Sequence, residues 1–467
     1  MKTRFQTGWR ARSKRRLGPF LNVSVMVTLL FTGRSHSLAQ PASEQTEIET
    51  FRRRIEQLEK TVAEQQEMIR SLLAAMPGKE MAAPAQAAQP PPPAPITVVS
   101  GAGGKNYLNL SLDGLVVGGA STSKDVEMLE PGGHDPLQRG FTIQNVETVL
   151  DGAVDPYFRG QANIVLQLDP EGATTVELEE VYATTSSLPH NLQVKAGQFF
   201  TEFGRLNPQH PHSWDFVDQP LVSGRLLGGD GLRSPGMRVS WLAPTSFYSE
   251  LFLTAQNSQG ETLASFRSVP GETVFGRTLL ERDVRTLSDL LLVPRYTASF
   301  DLTGTQTLLV GGSAAFGPNG TGDRGRTHLY GLDAFWKWKS SHADKGFPFV
   351  KVQAEGMTRA YRAAANGTSS EETFRDWGSY AQVVWGFKPR WLAGARYDKV
   401  GGDVGDPPSD PALASRWRAS TNVTWFPTEY SKLRLQYNRD EMARSTNADS
   451  LWLQLEFLLG AHAAHKF

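Results

Sequence analysis

The sequence predicts an all-β transmembrane barrel of about 16 antiparallel strands, carrying an N-terminal α-helical coiled coil. Three observations lead there. From Tyr107 onward apolar and polar residues alternate at period two, and the connections between the resulting segments alternate in length. No run of 18 or more apolar residues follows the first 39 residues, which excludes helical membrane spans. A closed barrel can still cross a bilayer, because its backbone groups pair between strands and only one face of each strand must be apolar.

The chain opens with eight Lys or Arg and no acid in residues 1–39, followed by an apolar stretch at 20–31 that is too short to span a bilayer. Ser37 and Ala39 precede a cut before Gln40, the layout of a cleavable secretory signal. Removing residues 1–39 takes the charge balance from 48 basic and 48 acidic residues to 40 and 48. The mature chain is thus mildly acidic, with no basic signature of nucleic-acid binding. It has no cysteine, which excludes disulfides, thiolate metal sites and thiol nucleophiles.

Residues 40–76 carry a coiled-coil seam: Ile48, Phe51, Ile55, Leu58, Val62, Ile69, Leu72 and Met76 recur in steps of three and four, with Gln65 at the one polar seam position. Flanking Glu and Arg can pair between helices. Pro77 and Gly78 end the helix, and residues 77–106 read as a Pro/Ala-rich linker with the run Pro90, Pro91, Pro92 and Pro93.

Residues 107–467 hold the barrel. Strands are expected to start near Tyr107, Arg139, Tyr157, Thr174, Asn191, Gly236, Phe247, Leu292, Thr305, Thr327, Phe347, Thr373, Arg390, Ser415, Tyr430 and Ser450. Even-numbered connections (155–156, 186–189, 244–246, 303–304, 340–346, 388–389, 427–429) are short. The odd ones include 120–138, 201–235, 259–291, 401–414 and 441–449, with only 169–173 brief. Barrels with short inner turns and long outer loops show this segregation; a soluble sandwich has no reason to. Faces separate cleanly in the last strands. Trp417, Ala419, Thr421, Val423 and Trp425 oppose Arg416, Arg418, Ser420, Asn422 and Thr424, and Leu451, Leu453, Leu455 and Phe457 oppose Gln454 and Glu456. Trp336, Trp338, Trp385, Trp391 and Trp425 fit interfacial girdles.

Two local motifs carry a family resemblance. Glu179-Glu180-Val181-Tyr182, followed by Lys195-Ala196-Gly197-Gln198-Phe199-Phe200-Thr201-Glu202-Phe203-Gly204, resembles phosphate-selective porins O and P. The 205–212 segment and the ending 460–467 resemble zinc-regulated outer-membrane proteins of porin size. The resemblance implies a trimeric outer-membrane pore of 16 to 18 strands, with outer-membrane lipid and the barrel-assembly machinery, engaged through a C-terminal strand ending in Phe467, as partners. The heptad chemistry by itself favours a dimer. Phosphate selectivity does not carry over, because 33 basic residues face 40 acidic ones in 107–467.

The expected function is a porin admitting small hydrophilic solutes or ions by passive diffusion, located in the bacterial outer membrane with the coiled coil in the periplasm. The alternatives are a metal-related uptake or binding protein, or a structural barrel tethered by its coiled coil. No enzyme is expected, since no Gly-x-Ser-x-Gly elbow occurs, and no cofactor. A TonB-dependent transporter needs about 22 strands plus a plug. The 201–235 loop, with Arg205, Arg225, Arg233, Glu202, Asp215, Asp218 and Asp230, is the candidate pore constriction. Lys337, Lys339, Lys351, Arg416, Arg418, Lys432 and Arg434 are expected to face the lumen, mixed with Asp333, Glu355 and Glu456. His210 and His212, with Asp215 or Asp218 as partners, and separately His462 and His465, are candidate metal ligands; surface histidines without metal are the favoured reading.

Overall fold

The computed structural model describes residues 96–100, 106–169, 172–365, 369–403, 414–443 and 447–460. The expected secretory signal and coiled coil, most of the expected linker, His462, His465 and Phe467 lie outside the described residues.

Sixteen strands form one closed antiparallel barrel: β1 (Tyr107–Ser121), β2 (Gly140–Ala153), β3 (Phe158–Leu168), β4 (Thr174–Thr185), β5 (Leu192–Phe200), β6 (Arg233–Leu242), β7 (Tyr248–Gln256), β8 (Leu291–Thr303), β9 (Gln306–Pro318), β10 (Arg326–Asp344), β11 (Phe347–Ala363), β12 (Glu372–Lys388), β13 (Trp391–Asp403), β14 (Arg416–Thr428), β15 (Ser431–Met442) and β16 (Ala448–Leu459). Each strand pairs with its sequence neighbours, and β16 closes on β1 from Leu112↔Leu459 to Ser121↔Ser450. Closure removes the sheet edges that would otherwise expose unpaired backbone. A short strand, Ile96–Ser100, forms a hairpin with the start of β1. All 16 expected starts fall within three residues of an observed strand.

Strand alternation sorts the wall. Leu435, Tyr437, Leu451, Leu453, Leu455 and Phe457 are exposed on the outside, whereas Gln436, Asn438, Gln454 and Ser450 are buried inside. Rings cluster near the short-turn end: Trp391 stacks on Trp425 at 5.9 Å and Phe247 meets Phe300 at 4.9 Å. At the opposite end Tyr397 stacks on Trp417. Trp417 and Trp425 lie eight residues apart on β14, and Trp377 and Trp385 eight apart on β12. At ~3.3 Å per residue that is about 26 Å along a tilted strand, the scale of the apolar band of a membrane barrel.

Two β-bulges break the alternation on one side of the barrel. Between β3 and β4, Asn163 pairs with Glu180 and Ile164 with Leu178, leaving Glu179 as the extra residue. Both Glu179 and Glu180 therefore point inward, at 1% and 5% exposure, while Leu178 and Val181 point out. Between β1 and β2, Leu115 pairs with Asn145 and Val116 with Ile143, so Gln144 and Asn145 both turn in.

Three long-loop connections, 122–139, 201–232 and 257–290, enter the barrel and bury Leu129, Phe203, Phe216, Leu226, Leu263 and Phe266 almost completely. The 201–232 loop carries a short helix, α1 (Leu221–Leu227), which packs against β11, β12 and β13. Wall glycines make room for them: a Cβ on Gly378 would lie 2.7 Å from Val222, and one on Gly331 would lie 3.0 Å from Phe203. These three connections are thus not solvated caps but the filling of the outer half of the lumen.

Candidate functional site

The 201–232 loop reaches its position because wall side chains catch it around much of the barrel. At its start, Glu355 of β11 accepts from the backbone N–H of Arg205 (3.0 Å) and Leu206 (2.8 Å). Midway, Asp215 meets Lys351 Nζ at 2.6 Å and accepts from Gln382 at 3.1 Å. Lys432 donates to the His212 carbonyl (2.9 Å) and Arg434 to the Trp214 carbonyl (2.8 Å). At its end, Asp398 accepts from the Leu221 N–H and Arg225 binds Asp376 at 3.1 Å.

Asp218 is the deepest anchor. Arg396 donates to its Oδ1 at 2.9 Å and Gln436 to the same oxygen at 2.7 Å, while Arg418 and Asn438 reach Oδ2. Arg418 is also held by Asp440 and by Glu130 of the 122–139 loop, so one guanidinium ties two loops to β15. Burial alone would push the Asp218 carboxyl up, but the Arg396 and Arg418 guanidiniums and the hydrogen bonds hold it down at about 2.

Below the loop, towards the short turns, lies a cavity of about 660 Å³. Arg159, Lys195, Arg205, Arg238 and Arg295 line it together with Asp151, Glu180 and Glu202. Arg238 binds Glu202, and Arg295 grips Asp333 with two bonds of 2.6 and 3.0 Å. Arg205 lies over the Phe335 ring at 4.1 Å and donates to Gln353.

These positions correct several expectations. Of the three arginines assigned to the constriction, only Arg205 lines the cavity. Arg233 belongs to β6 and pairs with Glu177, and Arg225 is spent on Asp376 and the Ala414 carbonyl. Asp218 is a buried anchor, and Asp215 is bound to Lys351. Arg418, Lys432 and Arg434 do face inward but hold loops, as does Arg416 through the carbonyls of Met128 and Leu129. Lys337 shares the inward parity of Asp333 on β10, opposite Lys351, and is exposed near the short-turn end. Arg238, between the outward Met237 and Val239, is a lining residue that period-two parity alone marks as inward.

The histidines depart furthest from expectation. His210 is 4% exposed; it turns to Glu179 and His212 to Glu147. His210 Nδ1 lies 2.8 Å from Glu179 Oε2 and 3.3 Å from Glu147 Oε1, and its Nε2 lies 3.0 Å from Glu180 Oε2. His212 stacks on His210 at 5.7 Å and reaches Glu147 Oε2 at 3.1 Å. His134, from the 122–139 loop, approaches Glu179 Oε1 at 3.5 Å. Three carboxylates and three imidazoles thus meet where two loops touch the bulged wall. Burial works against charge on His134, yet the Glu179 carboxylate beside it holds it up at about 9. Burial opposes charge on His210 too, but Glu147 and Glu179 keep it well above the usual imidazole value.

A lumen packed with loops hung on wall charges, inside sixteen strands closed on themselves, defines the chain as a loop-filled antiparallel β-barrel, and comparison with known structures agrees on that fold. The chain superposes on the outer-membrane channel DcaP of Acinetobacter baumannii with a TM-score of 0.52 at 13% identity, covering 77% of this chain and 100% of that one. Pseudomonas putida OprB gives 0.47 at 12% identity over 76% of this chain and 94% of that one. In sequence, the chain is 35% identical over 398 residues to an uncharacterized protein of Aquifex aeolicus (strain VF5), covering 77% of this chain and 79% of that protein, and it belongs to the same family. No known protein-family model matches it.

Proposed function

We propose that the chain is a porin of the bacterial outer membrane that passes small hydrophilic solutes or ions passively, through a lumen narrowed by the 201–232 loop. One observation carries this reading: a polar loop is bonded across the lumen above a charged cavity, inside a barrel whose outer face is apolar. A purely structural barrel would gain nothing from a water-filled, charge-lined vestibule. Outer-membrane lipid, a homo-oligomer of the trimeric porin kind and the barrel-assembly machinery acting on the strand that leads to Phe467 are the partners of this reading.

The vestibule also indicates ion sign. Five basic side chains against three acidic ones line it; with Arg238 paired to Glu202 and Arg295 to Asp333, the cations Arg159, Lys195 and Arg205 still outnumber Asp151 and Glu180. Positive potential in a narrow, partly desolvated space attracts anions, so the pore favours small anions. Planar-bilayer recording of the folded full-length mature chain tests both statements. Discrete conductance steps with a reversal potential on the anion side of a KCl gradient are expected; a folded barrel with no conductance steps rejects the pore, and a cation-side potential rejects the assignment of sign.

A further inference from the structure

The Glu147, Glu179 and His210 cluster is more ordered than ion pairing requires. The three ligand-type atoms all lie within 4.8 Å of one another and are buried. His210 Nδ1 stands 2.8 and 3.3 Å from the two carboxylate oxygens; donors bound at about 2.0–2.2 Å around a tetrahedral zinc stand roughly 3.3 Å apart. Among the described residues, imidazole nitrogens alone meet the Glu179 carboxylate.

Each donor is also oriented from its far side. His210 directs Nε2 at Glu180 Oε2, 3.0 Å away, and Glu180 is itself fixed by the Phe200 N–H at 2.9 Å. That is the carboxylate–histidine arrangement that fixes a metal-binding imidazole in one tautomer. Glu147 receives Asn163 on Oε1 and His212 on Oε2, and the other oxygen of Glu179 faces His134. The bulge at Glu179 is what allows adjacent residues to serve as inner and outer carboxylate.

We propose that Glu147, Glu179 and His210 form a binding site for one divalent cation of the zinc class, reached from the vestibule, that fastens the 201–232 loop to β2 and β4. Two carboxylates and a neutral imidazole leave a fourth position for water, and the charge of two buried carboxylates is matched by the metal instead of by protons. Binding displaces the proton from His210 Nδ1 to solvent, while Nε2–H stays on Glu180. The site stands whether or not the lumen conducts.

The test uses the folded full-length mature chain in detergent, stripped with EDTA and re-equilibrated with Zn²⁺ alone, and separately with Co²⁺ alone. One Zn²⁺ per chain is expected by elemental analysis, together with the visible absorption of four- or five-coordinate Co²⁺. His210→Ala should abolish both. Glu180→Gln, which leaves the three donors in place, should weaken binding about 10- to 100-fold. Heat-dependent gel migration confirms that each variant is folded. Should a variant not fold, the wild-type stoichiometry and the Co²⁺ spectrum still decide. Absence of stoichiometric metal on the wild-type chain, an octahedral all-water Co²⁺ spectrum, or undiminished binding by folded His210→Ala overturns the site.

Discussion

Replacing Asp218 with Asn isolates the anchor that holds the constriction loop against β13, β14 and β15. The carboxylate accepts from Arg396 and Gln436 on one oxygen and from Arg418 and Asn438 on the other. An amide replaces one of those acceptors with a donor and leaves two buried guanidiniums short of charge. Breaking a buried pair in this way costs about 3–5 kcal/mol. Arg396 keeps Asp398, and Arg418 keeps Asp440 and Glu130, so the lower end applies, about 3 kcal/mol. At about 1.4 kcal/mol per factor of ten, the ratio of docked to undocked loop falls roughly 100-fold. The wall should survive, because its strands are held by backbone pairing and outward apolar residues.

Single-channel recording should then show long dwells in a larger conductance state that the wild type visits rarely. Acid should reproduce the effect. With the folded carboxyl held at about 2, below its ordinary value near 3.9, the stabilisation is complete above about pH 4 and is lost as pH falls through 2. The larger state should therefore emerge in the wild type only between about pH 4 and 2. A heat-modifiable Asp218→Asn barrel with wild-type conductance and dwell times would falsify the anchoring role.

Other outcomes follow from the same geometry. Arg205→Gln should move the reversal potential toward cations, whereas Arg225→Gln should leave it in place and loosen the loop, since only Arg205 lines the vestibule; equal shifts from both would contradict this division. Gly378→Val should displace α1 from the wall at a cost of about 1–3 kcal/mol, because a Cβ there meets Val222 at 2.7 Å; unchanged protease resistance of the 201–232 loop would count against it. Asp substitutions at Ile55 and Leu58 should weaken self-association of the chain in sedimentation, and an unaltered oligomer would remove the seam from assembly.

The barrel could be read from the sequence because its cause is local. Strand 14 alternates Trp417, Ala419, Thr421, Val423 and Trp425 with polar residues whatever lies elsewhere, and short turns such as Lys345-Gly346, both at positive φ, need only two suitable residues. Inward charge in β14 and β15 was legible for the same reason. What those charges do was not. Arg418 and Lys432 look alike in alternation, and only the arrival of loop residues 129, 130, 212 and 218 from far along the chain makes them anchors and not pore lining.

The imidazole–carboxylate cluster marks the limit most sharply. Strict period two sends Glu179 and Glu180 to opposite faces, so the sequence by itself assigns at most one of them to the lumen. A bulge, fixed by pairing with β3, turns both inward, and the 201–232 loop then delivers His210 between them. Alternation determined the barrel and its two faces and bounded its strands near 16, a number that closure of the last strand on the first then fixed. The tertiary structure alone decided which loops fill it and which side chains meet, because those depend on register shifts and on contacts between residues 30 to 290 positions apart.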